Sequence, residues 1–229
     1  IMSPSILMHA KIQGILFDLD GTLLDTAGDL AATLNKVLAS QQIKPLHFDT
    51  IRPAISTGIS GLLALGLNIK EQDPAFPSLR QQFINYYKQH ICVYTHLFPG
   101  IETLINYLQE NKWPWGIVTN KSSALTIDLV KQFPSLNSAK CIIAGDTLKH
   151  SKPHPQPLLH ACQYLKCTPE NCIYIGDAQR DIEAANAAGM YSFIAYYGYI
   201  HPKEDVKAWN ASAIISSPLD IIERLKHLR

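Results

Sequence analysis

The sequence predicts an α/β protein: a mostly parallel sheet flanked by helices, with a small helical block inserted after the first strand. Three observations carry this. From Trp115 onward, short apolar runs alternate with helical patterns, the rhythm of βαβ units. Between Asp25 and about Phe98 that rhythm stops, and helical patterns with little strand signal remain. The first apolar run, residues 12–17, ends in two carboxylates one residue apart, Asp18 and Asp20, and Gly21-Thr22 then breaks the strand.

In chain order, residues 14–17 read as a short buried strand. If the chain stays extended from Asp18 to Asp20, both acids project to the same side. Two acids at the end of a central strand are costly unless a cation binds there. Mg²⁺, which prefers carboxylate and carbonyl oxygens and often sits beside a substrate phosphate, is the simplest such ion. Helical patterns follow at 28–40, 50–55, 61–66 and 77–94, and Pro99-Gly100 then signals a turn. Next come a helix at 101–111, a strand at 115–118 and a helix at 122–133, with Ser122 in the N-cap place. A strand at 140–144, a helix at 155–166 and a strand at 173–175 continue the alternation. A helix at 179–188 is closed by Gly189. A strand at 191–195 and an amphipathic helix at 219–228, whose basic end suits the helix dipole, complete the chain.

Composition narrows the function classes. The chain has 229 residues, 47% hydrophobic and 17% charged, which allows a sizeable core and argues against disorder. A net charge of +1 leaves no field to attract nucleic acid or an anionic membrane, so any pull on phosphate must be local. No apolar run comes near the roughly 18 residues of a bilayer span. Residues 1–10 lack the pattern of a signal peptide. The expectation is a cytoplasmic monomer or homodimer acting on a small metabolite, with no nucleic-acid or membrane partner. The five scattered cysteines suggest no disulfide framework. Cys162, Cys167 and Cys172 are evenly spaced, but fall on an expected helix, loop and strand start. They lack the tighter pairs and partners of a zinc site and are read as non-ligating. His150 and His154 bracket Lys152 and read as solvated loop residues.

In open α/β sheets, ligands bind beyond the carboxyl ends of the strands. Asp18, Asp20, Thr119 and Asp177 all fall at such ends, so distant polar groups would converge on one crevice. Taken singly, each has a plainer reading. Asp18 and Asp20 suit a turn, Asp177 suits an N-cap, and Asp181 suits the first turn of the helix near Gln179. Lys152 reads as a solvated lysine, Asp25 as an acceptor for turn backbone, and Asn120 and Lys121 as either phosphate contacts or exposed residues.

Four segments in order resemble motifs I to IV of the haloacid dehalogenase (HAD) superfamily in its phosphatase form. They are Phe17-Asp18-Leu19-Asp20-Gly21-Thr22-Leu23-Leu24-Asp25-Thr26, Trp115-Gly116-Ile117-Val118-Thr119-Asn120-Lys121, Lys152 within Ser151-Lys152-Pro153-His154-Pro155, and Ile173-Tyr174-Ile175-Gly176-Asp177-Ala178-Gln179-Arg180-Asp181. The resemblance spans residues 12–194. It implies a Rossmann-like catalytic core, residues 10–24 and 99–229, and a C1-type helical cap, residues 25–98. The hinges would lie at 25–29, with Gly28 as a flexible point, and at Phe98-Pro99-Gly100.

The resemblance also implies the chemistry. Asp18 would be the nucleophile that forms an aspartyl-phosphate, and Asp20 the acid and then the base. Mg²⁺ would be held by Asp18, the backbone carbonyl of Asp20, and Asp177. Thr119 and Lys152 would act on the phosphate, with Gly21 and Asn120 nearby, and Lys152 would hold Asp18 ionised. Asp181 would order water around the ion without touching it. Ala178 departs from relatives that carry Ser or Thr there, which removes a hydroxyl near the metal and no core ligand.

Within the family the chain looks like the phosphoglycolate phosphatases. Gly176–Asp181, Gly198-Tyr199-Ile200 and Trp209-Asn210-Ala211 look like the N-acetylmuramic acid 6-phosphate phosphatases. Both substrates join a phosphomonoester to a carboxylate. Arg52, Ser56, Thr57, Gly58 and Gly61 are therefore the candidates to meet that acid in the cap. Three rivals remain: a dehalogenase, which Asp20 argues against; a sugar phosphomutase, which shares all four motifs; and a non-catalytic module that binds a phosphorylated ligand.

Overall fold

In a computed structural model, which describes residues 11–226, six parallel strands form one sheet. The readings of residues 1–10, and of the terminal helix beyond residue 226, lie outside the described residues. In chain order the elements are β1 (Gly14–Phe17), β2 (Leu24–Asp25), α1 (Ala27–Ser40), α2 (Phe48–Ile51), α3 (Gly58–Leu67), α4 (Phe76–Gln89) and β3 (His96–Leu97). There follow α5 (Ile101–Glu110), β4 (Trp115–Val118), α6 (Ser123–Val130), β5 (Ile142–Ile143), α7 (Gln156–Leu165) and β6 (Cys172–Gly176). Last come α8 (Gln179–Ala187), β7 (Tyr191–Ala195), β8 (Ala213–Ile215) and α9 (Leu219–Lys226).

The sheet order is β5-β4-β1-β6-β7-β8. Numbered along the chain, these six strands run 3-2-1-4-5-6, so the winding reverses between β1 and β6. A ligand crevice belongs at that reversal, beyond the strand ends. Asp18 follows the last residue of β1 and Asp177 the last residue of β6.

The central strands are buried on both faces, and for that reason read as unbroken apolar runs. Ile15, Phe17, Ile117, Ile173 and Ile175 pack on one face with Leu104 and Leu108 of α5 and Ile221 and Leu225 of α9. Leu16, Val118 and Tyr174 pack on the other with Leu158 and Ala161 of α7 and Ala184 and Ala185 of α8. The first apolar cluster continues into the helical block through Leu34, Val37, Leu62, Phe83 and Tyr87.

Several elements differ from the sequence reading. The expected strand at 140–144 narrows to the edge strand β5, although Lys140 N–H still bonds the Trp115 carbonyl at 2.8 Å. β8 was not expected, because three residues carry too little periodicity to read. Ser122 occupies the N-cap of α6, but its hydroxyl makes no capping bond. Asp146 serves instead, accepting from Ser123 N–H at 2.7 Å. Gly189 does end α8, with φ +75°.

β2 and β3 pair antiparallel, Leu24 with Leu97 and Asp25 with His96, so the two legs of the helical block are joined as they leave the sheet. Asp29 adds a second tie. Its buried carboxylate accepts the backbone N–H groups of Val93, Tyr94 and Thr95 and the Thr95 hydroxyl, at 2.6 to 3.3 Å. Gly28 is not a loose hinge point. It lies inside α1, where a Cβ would stand 2.7 Å from the Tyr94 Cβ, so its glycine serves close packing.

Two further readings are corrected. The helical stretch Phe48–Leu67 is long and apolar enough, by length and composition, to cross a membrane. It was missed because Asp49 and Arg52 interrupt the apolar run; here it folds over the strand ends. The sulfurs of Cys162, Cys167 and Cys172, read as unrelated, all lie within 4.8 Å of one another.

Candidate active site

Beyond the ends of β1, β4 and β6 lies a cavity of about 430 Å³ between the sheet and the helical block. From the sheet side it is lined by Asp18, Asp20, Thr119, Asn120 and Lys121. From the helical side Ser56, Thr57 and Gly58 reach it, along with Ile55, Ile59 and Leu62.

Asp18, Thr119, Lys152 and Asp177 are each at most 4% exposed. Lys152 is enclosed by acceptors. Its Nζ lies 2.9 Å from Asp18 and 2.7 Å from Asp181, and it donates to the Val118 carbonyl at 2.9 Å and the Tyr174 hydroxyl at 2.6 Å. The Asn120 side chain clamps the Lys152 backbone, donating to its carbonyl at 2.8 Å and accepting from its N–H at 3.0 Å. Asn120 thus holds the lysine. Burial pushes the Asp18 carboxyl up to about 6, against the opposing pull of Lys152. Burial, with the charges of Asp18 and Asp181, pushes Asp177 up to about 7.

Asp20 faces a different set of groups. Its Oδ1 accepts from Lys121 Nζ at 2.9 Å and from the Thr26 hydroxyl at 2.7 Å. Lys121, left open by the sequence, is drawn in: its ammonium also sits 4.8 Å above the Tyr87 ring. Burial lowers the Lys121 ammonium, but Asp20 and Tyr87 outweigh it and hold it above its ordinary value. The Thr119 hydroxyl accepts from Lys121 N–H at 3.2 Å, which leaves its proton free to donate.

The donor set suits a hard divalent cation. Asp18, Asp177 and Asp181 bring carboxylate oxygens within 4.8 Å of one another. Asp177 Oδ1 is buried without a hydrogen-bond partner. Its other oxygen accepts from the Tyr199 N–H at 2.9 Å and the Ser56 hydroxyl at 2.8 Å. Oxygen-only donors with excess negative charge favour an ion of the Mg²⁺ class over a soft metal. Asp181 is the least available of the three, because Lys152 and the Ala178 N–H, at 3.0 Å, already occupy its oxygens. It fixes Lys152 and the start of α8.

Some expected contacts are not made. Gly21 does not line the cavity, and its N–H is spent on the Leu24 carbonyl at 2.9 Å. Its glycine is needed for another reason: at φ +84° a Cβ would lie 2.2 Å from Asp177 Oδ2. Arg52 is also absent from the lining. Its guanidinium donates to the Gly198 carbonyl at 3.2 Å and lies 5.1 Å over the Tyr199 ring, joining the helical block to the sheet. Gly61 is likewise outside the lining, and His150 and His154 stack on each other.

Other residues at the site escaped the sequence reading. Arg180 lines the cavity and donates to the Ser56 carbonyl. Its place between Asp177 and Asp181, on the first turn of α8, was its only signal. Arg80, Glu71 and Tyr87 enter from the helical side with no signal beyond ordinary helix and loop pattern. Tyr199 accepts the Thr26 N–H at 2.6 Å and donates to Asp25 at 2.9 Å, so it fixes the outgoing leg. Asp25 also accepts the Ala27 N–H at 3.2 Å, in keeping with a turn role.

Comparison with known proteins gives a consistent pattern. The sequence profile of haloacid dehalogenase-like hydrolases matches residues 15–195. Over 211 residues, 92% of this chain and 95% of the relative, the chain is 33% identical to N-acetylmuramic acid 6-phosphate phosphatase of Pseudomonas putida. Over 211 residues, 92% of this chain and 91% of the relative, it is 38% identical to phosphoglycolate phosphatase of Xylella fastidiosa. The crystal structure of a predicted phosphoglycolate phosphatase from Haemophilus somnus shares the fold, with TM-score 0.84 and 24% identity over 94% of this chain and 98% of that one.

Proposed function

Since the chain belongs to the haloacid dehalogenase-like hydrolase family and is a phosphatase, we propose that it hydrolyses the phosphomonoester of a small phosphorylated carboxylate, with Mg²⁺ as its metal. The observation that carries this is the meeting of Asp18, Asp20 and Thr119 on one cavity wall, with Asp177 and Lys152 directly behind.

In this reading Asp18 attacks phosphorus and becomes the aspartyl-phosphate as the P–O bond to the leaving group breaks. Lys152 keeps Asp18 ionised in a buried setting. Asp20 gives its proton to the departing oxygen and takes one from the water that then cleaves the acyl phosphate. Because Lys121 and Thr26 occupy Oδ1, Oδ2 is the oxygen left for proton transfer. Thr119 donates to a phosphoryl oxygen. Asp18, the Asp20 backbone carbonyl and Asp177 would hold the cation, which when bound would offset the repulsion between carboxylate and phosphate. Residues 25–98 act as a cap that closes over substrate and excludes bulk water.

2-Phosphoglycolate is the leading substrate, supported by the relatives of that name at 38% identity. A specific observation favours a second one. A cavity of about 430 Å³, partly lined by Ile55, Ile59, Leu62 and Ile84, offers more room and apolar wall than a two-carbon acid uses. N-Acetylmuramic acid 6-phosphate would fill more of it. The test is phosphate release with Mg²⁺ from both compounds, hexose phosphates and nucleotides. A preference of about 100-fold, about 2.7 kcal/mol in the barrier, for one phosphorylated acid supports the reading. A preference for neutral sugar phosphates sinks it, as does turnover retained in Asp18→Asn.

A further inference from the structure

A second ligand centre lies at the opposite end of the sheet. Cys162 on α7, Cys167 in the following loop and Cys172 at the start of β6 point their sulfurs at one another. The Cys162 and Cys172 sulfurs are 3.7 Å apart, and all three lie within 4.8 Å. Sulfurs bound to one zinc-like ion, at about 2.3 Å each, stand about 3.8 Å apart in a tetrahedron and about 4.0 Å in a trigonal plane. A disulfide would need about 2.05 Å. The spacing therefore suits a shared ion better than a bond between two of the thiols.

The local chain packs closely on the sulfurs. Gly14 at the start of β1 faces them, and a Cβ there would stand 3.0 Å from Cys167 Sγ and 3.3 Å from Cys172 Sγ. Any other residue at position 14 would crowd the sulfurs. Cys162 and Cys172 are buried, whereas Cys167 is half-buried, which gives an ion a way in.

The geometry points to a three-thiolate site for a thiophilic divalent ion of the zinc class, formed by Cys162, Cys167 and Cys172. Charge selects the divalent ion. Three thiolates around a monovalent ion leave a net charge of −2, and around a divalent ion −1, and buried net charge is costly. Soft sulfur donors separate this site from the oxygen donors around Asp177. The ion ties α7 and its loop to the first residue of β6. From there to Asp177 is about 16 Å of extended chain, so the site fastens the sheet without touching the reaction.

The test uses the reduced full-length protein in Mg²⁺ buffer, titrated with Cd²⁺, a spectroscopic stand-in for Zn²⁺. The expected result is one Cd²⁺ per chain with a thiolate-to-cadmium charge-transfer band of three-sulfur intensity, competed away by Zn²⁺, and a rise in melting temperature. Cys167→Ser, at the half-buried position, should weaken binding at least tenfold and leave phosphate release unchanged in the absence of Cd²⁺ and Zn²⁺. Cys167→Ala should do the same, and Cys92→Ser should bind as the parent does. No charge-transfer band, a band of fewer than three sulfurs, or a band undiminished in both Cys167 variants would overturn the site.

Discussion

The two walls of the cavity are built on different principles. On the sheet side Asp18, Thr119 and Asp177 each follow a strand locked by ladder bonds on both sides, and the loop lysine behind them is held from every direction. Lys152 alone contacts two carboxylates, a carbonyl and a phenol. On the helical side Ser56 and Thr57 stand in a 3₁₀ turn between α2 and α3, and Gly58 follows at φ +74°. Its grip on the sheet rests on a few contacts: Ser56 with Asp177, Arg180 with the Ser56 carbonyl, and Arg52 with Gly198 and Tyr199. The lesson is a division of labour. On the proposed function, chemistry that must hold its geometry would sit where the backbone leaves no freedom, and selection of the leaving group would fall to a turn that can be rebuilt cheaply.

The sharpest way to break that comparison is Lys152→Met. The substitution leaves Asp18 and Asp181 facing each other in a buried space with their shared cation gone. Removing one partner of a buried pair costs about 3–5 kcal/mol. Phosphate release should fall by at least about 100-fold, since the nucleophile then loses the charge that keeps it ionised. Urea denaturation of the protein in chelator, beside a kinetic assay, reads both effects. If stability and rate were both near those of the parent, the rigid wall would not depend on its lysine, and the contrast would fail.

The legible part of the molecule follows the same division. Strands β1, β4, β6 and β7 are buried runs bounded by turns, and residues follow their ends in a fixed way. Hence Asp18, Thr119 and Asp177 could be placed from sequence. Lys152 lies in a loop and was placed only by its motif. Residues whose role depends on a distant partner stayed illegible. Nothing local marks Asp29 as the acceptor for three N–H groups some 65 positions away, or Arg52 as the partner of Tyr199. Gly28 was legible as a glycine but not in its purpose, because flexibility and close approach require the same missing Cβ.

Gly28→Ala separates those two purposes by sign. In a helix such a change stabilises by about 1 kcal/mol when nothing else intervenes. Here the added carbon would meet the Tyr94 Cβ at 2.7 Å, a contact with a short, fixed part of that side chain. Overpacking of this kind costs about 1–3 kcal/mol. The melting temperature should fall, and turnover at low temperature should change less than stability does. A rise in melting temperature with slower turnover would restore the hinge reading and make the junction, rather than the turn at Ser56, the mobile part of the helical wall.

The smallest effect is expected at Arg52, and it is the most informative about that wall. The guanidinium is committed to the Gly198 carbonyl and the Tyr199 ring, with Asp25 at 4.0 Å. Arg52→Ala should therefore cost about 1 kcal/mol of stability. It should also raise KM alike for phosphorylated acids and for neutral phosphates, by loosening the closed arrangement. A direct bond to a substrate carboxylate would behave differently. Such charge-assisted contacts are worth about 1.5–3 kcal/mol, or about 10- to 150-fold, and only the acids would lose it. Steady-state kinetics on a matched acid and neutral pair distinguishes the two. A selective loss would mean that Arg52 leaves Tyr199 for the substrate, which would make selection a property of the moving contact itself.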